Sequence, residues 1–117
     1  MANRELEYAV KNQSELNLSY MPFINNGGLF IPTTESYALK EKVTVNLILL
    51  GQTEKIEGKV VWIIPKNSLY HVYQGIGVQF LGENAESVRE YIEANLDSTM
   101  EIGGYVLGMM NDMNHEG

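Results

Sequence analysis

Leu16, Leu18 and Tyr20 alternate with Asn17 and Ser19, the period of two that predicts a half-buried strand over residues 15–21. Leu29, Phe30 and Ile31 resume extended structure after the polar turn Asn25-Asn26-Gly27-Gly28, and Pro32 limits further pairing, so a second strand should be short or at an edge. Val43, Val45, Leu47 and Leu49 share one face of a third strand, until Ile48 and Leu50 make its end apolar on both sides. Gly51 through Glu54 predicts a turn. Ile56, Gly58, Val60, Trp62 and Ile64 then alternate with Glu57 and Lys59 along the longest strand, which runs into Pro65. KNSLYHVYQ at 66–74 reads as a polar and aromatic connection, and GIGVQFL at 75–81 puts Ile76, Val78 and Phe80 on one face. Beyond it the period changes: Val88, Tyr91, Ile92 and Leu96 follow helical spacing, with Asn84 as N-cap and Glu86 in the first turn. The pattern predicts a mainly β domain over residues 1–98, an antiparallel barrel or sandwich at about 12–81 flanked or plugged by a helix at about 84–98. Residues 99–117 carry four of the six methionines and four of the eleven glycines without a period, and are expected to form a flexible tail.

Composition narrows the function. At 117 residues the chain has room for one core and one site, with 44% apolar and 20% charged residues. There is no cysteine, which excludes disulfides, thiolate metal sites and thiol catalysis. The start MANRELEYAV lacks the basic-then-apolar order of a secretory signal, and no apolar run approaches the length of a membrane span, so a cytoplasmic protein without direct membrane insertion is expected. A net charge of −7, with eight dispersed Lys and Arg, offers no stripe for neutralising phosphates and argues against nucleic acid.

Catalytic constellations are not apparent. His71 falls in the 66–74 connection and His115 near the C-terminus, neither with ligand spacing around it, so no metal and no cofactor is assigned. Glu86, Glu90 and Glu93 read as the wet face of the helix, with Arg89 positioned to pair with Glu93 one turn on. GIG at 75–77 lies inside a strand rather than ahead of a helix, unlike a phosphate-binding loop. A non-enzymatic role is expected.

In order and spacing, GGLFIPT from Gly27, GKVVWIIP at 58–65 with its Trp-x-x-Pro, and GIGVQF at 75–80 resemble the PilZ domain over roughly residues 12–98. They look most like the subgroup of type IV pilus assembly proteins. The resemblance implies a six-stranded antiparallel PilZ-type β-barrel with a C-terminal α-helix. It also brings the family's ligand, cyclic di-GMP, which is bound through an Arg-x-x-x-Arg pair in the N-terminal arm and (Asp/Asn)-x-Ser-x-x-Gly on the first turn. With the last glycine placed on Gly28, Phe23 stands where Asp or Asn is needed and Asn25 where Ser is needed. Arg4 is followed four residues later by Tyr8, so the arginine pair is missing, and Lys11 cannot reproduce a planar fork. Each lost contact to a dianion is worth about 1.5–3 kcal/mol. The resemblance therefore implies an adaptor that does not itself bind cyclic di-GMP. It would be monomeric alone and would contact a PilB-type pilus assembly ATPase and a FimX-type GGDEF-EAL protein. The alternative is a direct cyclic di-GMP receptor with an unusual site.

An adaptor needs a surface. Tyr20, Met21, Pro22 and Phe23 form a compact apolar cluster that either caps the barrel as core or makes a protein contact, Tyr20 being the foremost contact candidate. Tyr70 and Tyr73 would extend that surface, and Tyr105, Leu107 and Met109 form an apolar strip in the tail that either frays or binds.

Overall fold

The computed structural model describes residues 3–65 and 74–105. Seven elements follow one another: β1 (Arg4–Val10), α1 (Gln13–Ser19), β2 (Gly28–Pro32), β3 (Lys42–Leu49), β4 (Gln52–Ile64), β5 (Gly75–Leu81) and α2 (Ala85–Asn95). The strands form one sheet in the order β1-β3-β4-β5-β2, curled as a half-barrel about the main core. Instead of six antiparallel strands, the described residues give five, and β1 runs parallel to β3 while the other three pairs are antiparallel. The stretch between β1 and β3 holds α1, a turn and β2, which is ample for the crossover a parallel pair requires.

Two N-terminal expectations are corrected. Residues 13–19 are helical, not a strand: Leu16, Ser19 and Tyr20, at i, i+3 and i+4, are buried together on one face. The Asn12 side chain caps this helix by accepting the Glu15 amide at 2.9 Å. The N-terminal arm is itself a strand, whose Leu6, Tyr8 and Val10 turn towards the core between Glu5, Glu7 and Ala9.

The β3–β4 turn also sits earlier than expected. Leu49 pairs with Gln52, leaving Leu50 and Gly51 as a two-residue loop, both at positive φ (50° and 92°), as a tight hairpin of primed type demands. The Leu50 amide donates to Val10 at 3.0 Å and ties the turn to β1.

The sheet has two apolar faces, and a bulge in β4 decides which residue joins which. Val60 pairs with Val78 but Trp62 with Gly77, so Val61 is the extra residue. Ile56 and Val60 enter the main core with Ile76, Val78, Phe80, Leu29, Ile31, Leu16 and Ile92. After the bulge Trp62 and Ile64 face the opposite side, where Met21 and Phe30 form a second, smaller cluster with Ile24 and Tyr105 packed against it. The single five-residue face read along β4 is therefore split in two.

Beyond α2 the chain crosses back over α1. Asn17, fully buried, accepts the Asp97 amide at 2.9 Å and donates to the Asp97 and Met100 carbonyls, while its own carbonyl accepts from Gly103 at 2.6 Å. Gly104 packs close to Leu18: a Cβ there would meet Leu18 Cδ2 at 2.6 Å and oblige that side chain to shift. Within the segment expected as a tail, Thr99, Met100 and Glu101 are exposed, Gly103 is buried and Tyr105 is half-buried against Phe30.

Candidate functional site

The turn between α1 and β2 is the element that the sequence marks for chemistry. Tyr20 bridges Leu29, and the Met21 amide donates to Gly28 at 2.9 Å, closing the loop at its base. Inside it the Gly27 amide donates to Ile24 at 2.8 Å, and Asn26 and Gly27 take left-handed conformations (φ 69° and 80°), which Asn and Gly adopt with little cost. The loop is sewn to β5 by Phe80 donating to the Gly27 carbonyl at 3.0 Å and by the Gln79 side chain donating to the Asn25 carbonyl at 3.0 Å. A Cβ at Gly28 would stand 2.5 Å from the Val78 carbonyl oxygen. This glycine is required by strand approach, whatever the turn binds.

Under the turn the protein fills its own space. A Cβ at Gly27 would lie 3.1 Å from Arg89 Cγ and Cδ, and 3.5 Å from the Tyr20 hydroxyl. That hydroxyl donates to Glu93 at 2.6 Å. Burial, then the hydrogen bond and charge of Glu93, push the Tyr20 phenol above the ordinary tyrosine range, with Arg89 opposing. The expected Arg89–Glu93 pair is not among the ion pairs of the described residues, which belong to Arg4. Glu93 is engaged by Tyr20 instead, and Arg89 lies along the turn with its Nε buried and without a hydrogen-bond partner.

Arg4, the other arginine, is committed elsewhere. It donates from Nε to Glu41 at 3.0 Å and from Nη2 to the Ser36 carbonyl at 2.6 Å, and its guanidinium lies 3.9 Å above the Tyr37 ring. The Glu41 carboxyl is held below the usual carboxylate range, first by the Ala38 amide and then by Arg4. β1 and β2 are opposite edges of the sheet, with β3, β4 and β5 between them, and among the described residues Arg4 bonds Glu41, Glu35 and Ser36 rather than the turn.

The remaining candidates separate by exposure. Tyr20 and Met21 are 1% and 0% exposed, so both belong to the core side of the choice posed by the sequence. Pro22 and Asn25 are exposed, and Phe23 is 49% exposed, one of the few large apolar side chains in water. Tyr105 is half-buried, its ring 5.5 Å from that of Phe30. Tyr70, Tyr73, His71, Leu107, Met109 and His115 lie outside the described residues. Arg89 and Glu93 under the turn, and Ile24 and Trp62 beside Met21, are the site residues that sequence reasoning missed. The i, i+4 spacing of Arg89 and Glu93 was the visible signal, but it pointed to a surface pair.

A depression of about 540 Å³ is lined by Lys42, Glu57, Gly58, Leu81, Gly82, Glu83 and Asn84, a single cation beside two carboxylates. Among the described residues no three His, Cys, Asp or Glu gather as metal ligands, and no helix is long and apolar enough to cross a membrane.

No curated protein matches the chain in a sequence search. The family model described as the PilZ domain matches residues 3–97, a span that takes in β1, the turn, the whole sheet and α2. PilZ domains are non-catalytic binding and adaptor domains tied to cyclic di-GMP signalling. With a match across most of its length and a curled sheet closed by a C-terminal helix, this chain belongs to the PilZ domain family.

Proposed function

We propose that this PilZ domain is a non-enzymatic adaptor in type IV pilus biogenesis and twitching motility. It works through protein contacts and does not hold cyclic di-GMP itself. In this reading it couples a PilB-type assembly ATPase to a FimX-type GGDEF-EAL protein, and the EAL partner carries the nucleotide. The observation that carries the proposal is the filled space beneath the Asn25–Gly28 turn, where Arg89 packs along Gly27 and Tyr20 bonds Glu93. The one arginine near the N-terminus is spent on Glu41, Ser36 and Tyr37. The turn itself, from Pro22 to Gly28, carries no cationic side chain. It presents Pro22, Phe23, Asn25 and Asn26 to solvent, and an aromatic ring held on a braced turn is a suitable anchor for a protein contact.

The competing reading, a direct receptor with an unusual site, draws on the unpartnered Arg89 Nε. It requires Arg89 to swing out and the turn to open. Co-purification of the chain with the PilB-type ATPase and with the EAL domain tests the adaptor. Capture of both, weakened by Phe23→Ser without loss of thermal stability, is the expected result. Failure to retain either protein would refute the adaptor role, and full retention by the variant would remove Phe23 from the contact.

A further inference from the structure

The two edges of the sheet are finished differently. On β2 the outer side is partly closed: Tyr20 bridges Leu29, the Met21 amide donates to the Gly28 carbonyl, and Pro32 has no N–H to offer. β1 carries no such closure. It pairs with β3 over all seven residues without a bulge, and the Leu50 amide donating to the Val10 carbonyl fixes which way each residue faces. In a strand the N–H and C=O of one residue point to the same side and alternate along the chain, so Arg4, Leu6, Tyr8 and Val10 address β3. Glu5, Glu7 and Ala9 turn theirs outward, and among the described residues nothing outside the sheet bonds these backbone groups.

The open edge is also held ready. Arg4 ties its first residue to Glu41 and the Ser36 carbonyl, and Leu50 ties its last, so little ordering remains to be done on binding. The strand's charge disfavours one occupant and suits another. Glu5 and Glu7 are exposed on the outer face. Glu5 accepts from the neutral Asn46 amide, and neither carboxylate belongs to an ion pair among the described residues. Full antiparallel overlap of two copies would set Glu7 against Glu7, a repelling pair. An extended segment with Lys or Arg at alternate positions would set a cation against each carboxylate instead. Its intervening side chains would fall on the other face, beside half-buried Leu6, where apolar residues fit.

We propose that β1 accepts, as an added antiparallel strand, an extended segment of a partner protein in which Lys or Arg alternates with apolar residues. This surface lies at the edge of the sheet opposite β2 and the Phe23 turn. The test records amide exchange by NMR on the full chain, with a capped peptide alternating Lys and Val as probe and its Glu-Val counterpart as control. Slower exchange at the Glu5, Glu7 and Ala9 amides with the lysine peptide, absent with the glutamate peptide and lost in a Glu5→Lys, Glu7→Lys double variant, is the expected result. Both substitutions sit at exposed positions, and unchanged protection across β3 and β4 verifies that the variant is folded. No slowing at these amides at millimolar peptide would overturn the proposal, as would equal slowing with both peptides. Shifts gathered on the Phe23 turn instead would also overturn it. Slowing that appears without peptide as the protein is concentrated would place a second copy on the edge and would equally refute a basic partner segment. Neither nucleotide nor pilus protein enters these measurements, so their outcome is independent of the adaptor reading.

Discussion

Glu93 accepts the Tyr20 hydroxyl at 2.6 Å, and through that bond α2 is fastened to the segment that carries the Asn25–Gly28 turn. Tyr20 itself is 1% exposed, whereas Glu93 is an exposed residue, so the carboxylate can rehydrate if the hydroxyl is removed. Tyr20→Phe should therefore cost on the order of 1 kcal/mol, read as a lower urea midpoint with an unchanged slope. An unaltered midpoint would mean that the bond contributes nothing net. Tyr8, buried beside Ser19, shares with Tyr20 a phenol pushed above the ordinary tyrosine range, mainly by burial. Both groups bind their protons more tightly when folded, so the stability they add is complete below the unfolded tyrosine pKa of about 10 and is lost as pH rises through the folded values. Thermal denaturation should thus fall steeply in strong alkali, and tyrosinate absorbance should rise with unfolding; early, fully reversible ionisation of all tyrosines in the folded state would contradict this. At this scale the sequence was informative about identity and poor about direction. Phe23, Asn25 and Gly28 could be placed on the turn from their order alone, but that Tyr20 faces inward depends on a partner seventy-three positions away.

Strands β3, β4 and β5 were legible because each carries several periods of alternation over a buried face. α2 was legible from four apolar positions at helical spacing. The helix α1 was not, since in seven residues a period of two and a period of 3.6 share too many positions to be told apart. The Asn12-x-x-Glu15 start, a variant of the capping box, was the local signal that would have decided it. The bulge at Val61 leaves no composition signature, and because it reverses the faces it changes what Trp62 does. Latching of the C-terminal segment is likewise a long-range matter, carried by one buried amide. Asn17→Ala removes its side-chain bonds to Asp97 and Met100, at an expected cost of about 1–3 kcal/mol. Hydrogen exchange should then accelerate at the Asp97 amide while the β3 and β4 ladders keep their protection. Uniform acceleration across the sheet would show instead that Asn17 supports the whole fold.

For the whole molecule, the proposed reading is of a PilZ domain that makes protein contacts without holding the nucleotide. The turn is braced against β5, and Arg89 packs along Gly27 while Tyr20 bonds Glu93 beneath it. With fifteen acidic against eight basic residues, the net charge of −7 adds repulsion towards a dianion. Arg4, on β1, is held by Glu41 and Ser36, whereas Arg89, on α2, lies beside Gly27. The measurement that meets this claim head-on is isothermal titration calorimetry of the full chain with cyclic di-GMP, at protein concentrations that reveal weak binding, beside a PilZ domain that carries both ligand motifs. The account predicts binding heat for the reference domain and none above dilution for this chain. Saturable one-site heat that disappears in Arg89→Ala would contradict it and make the turn a receptor site.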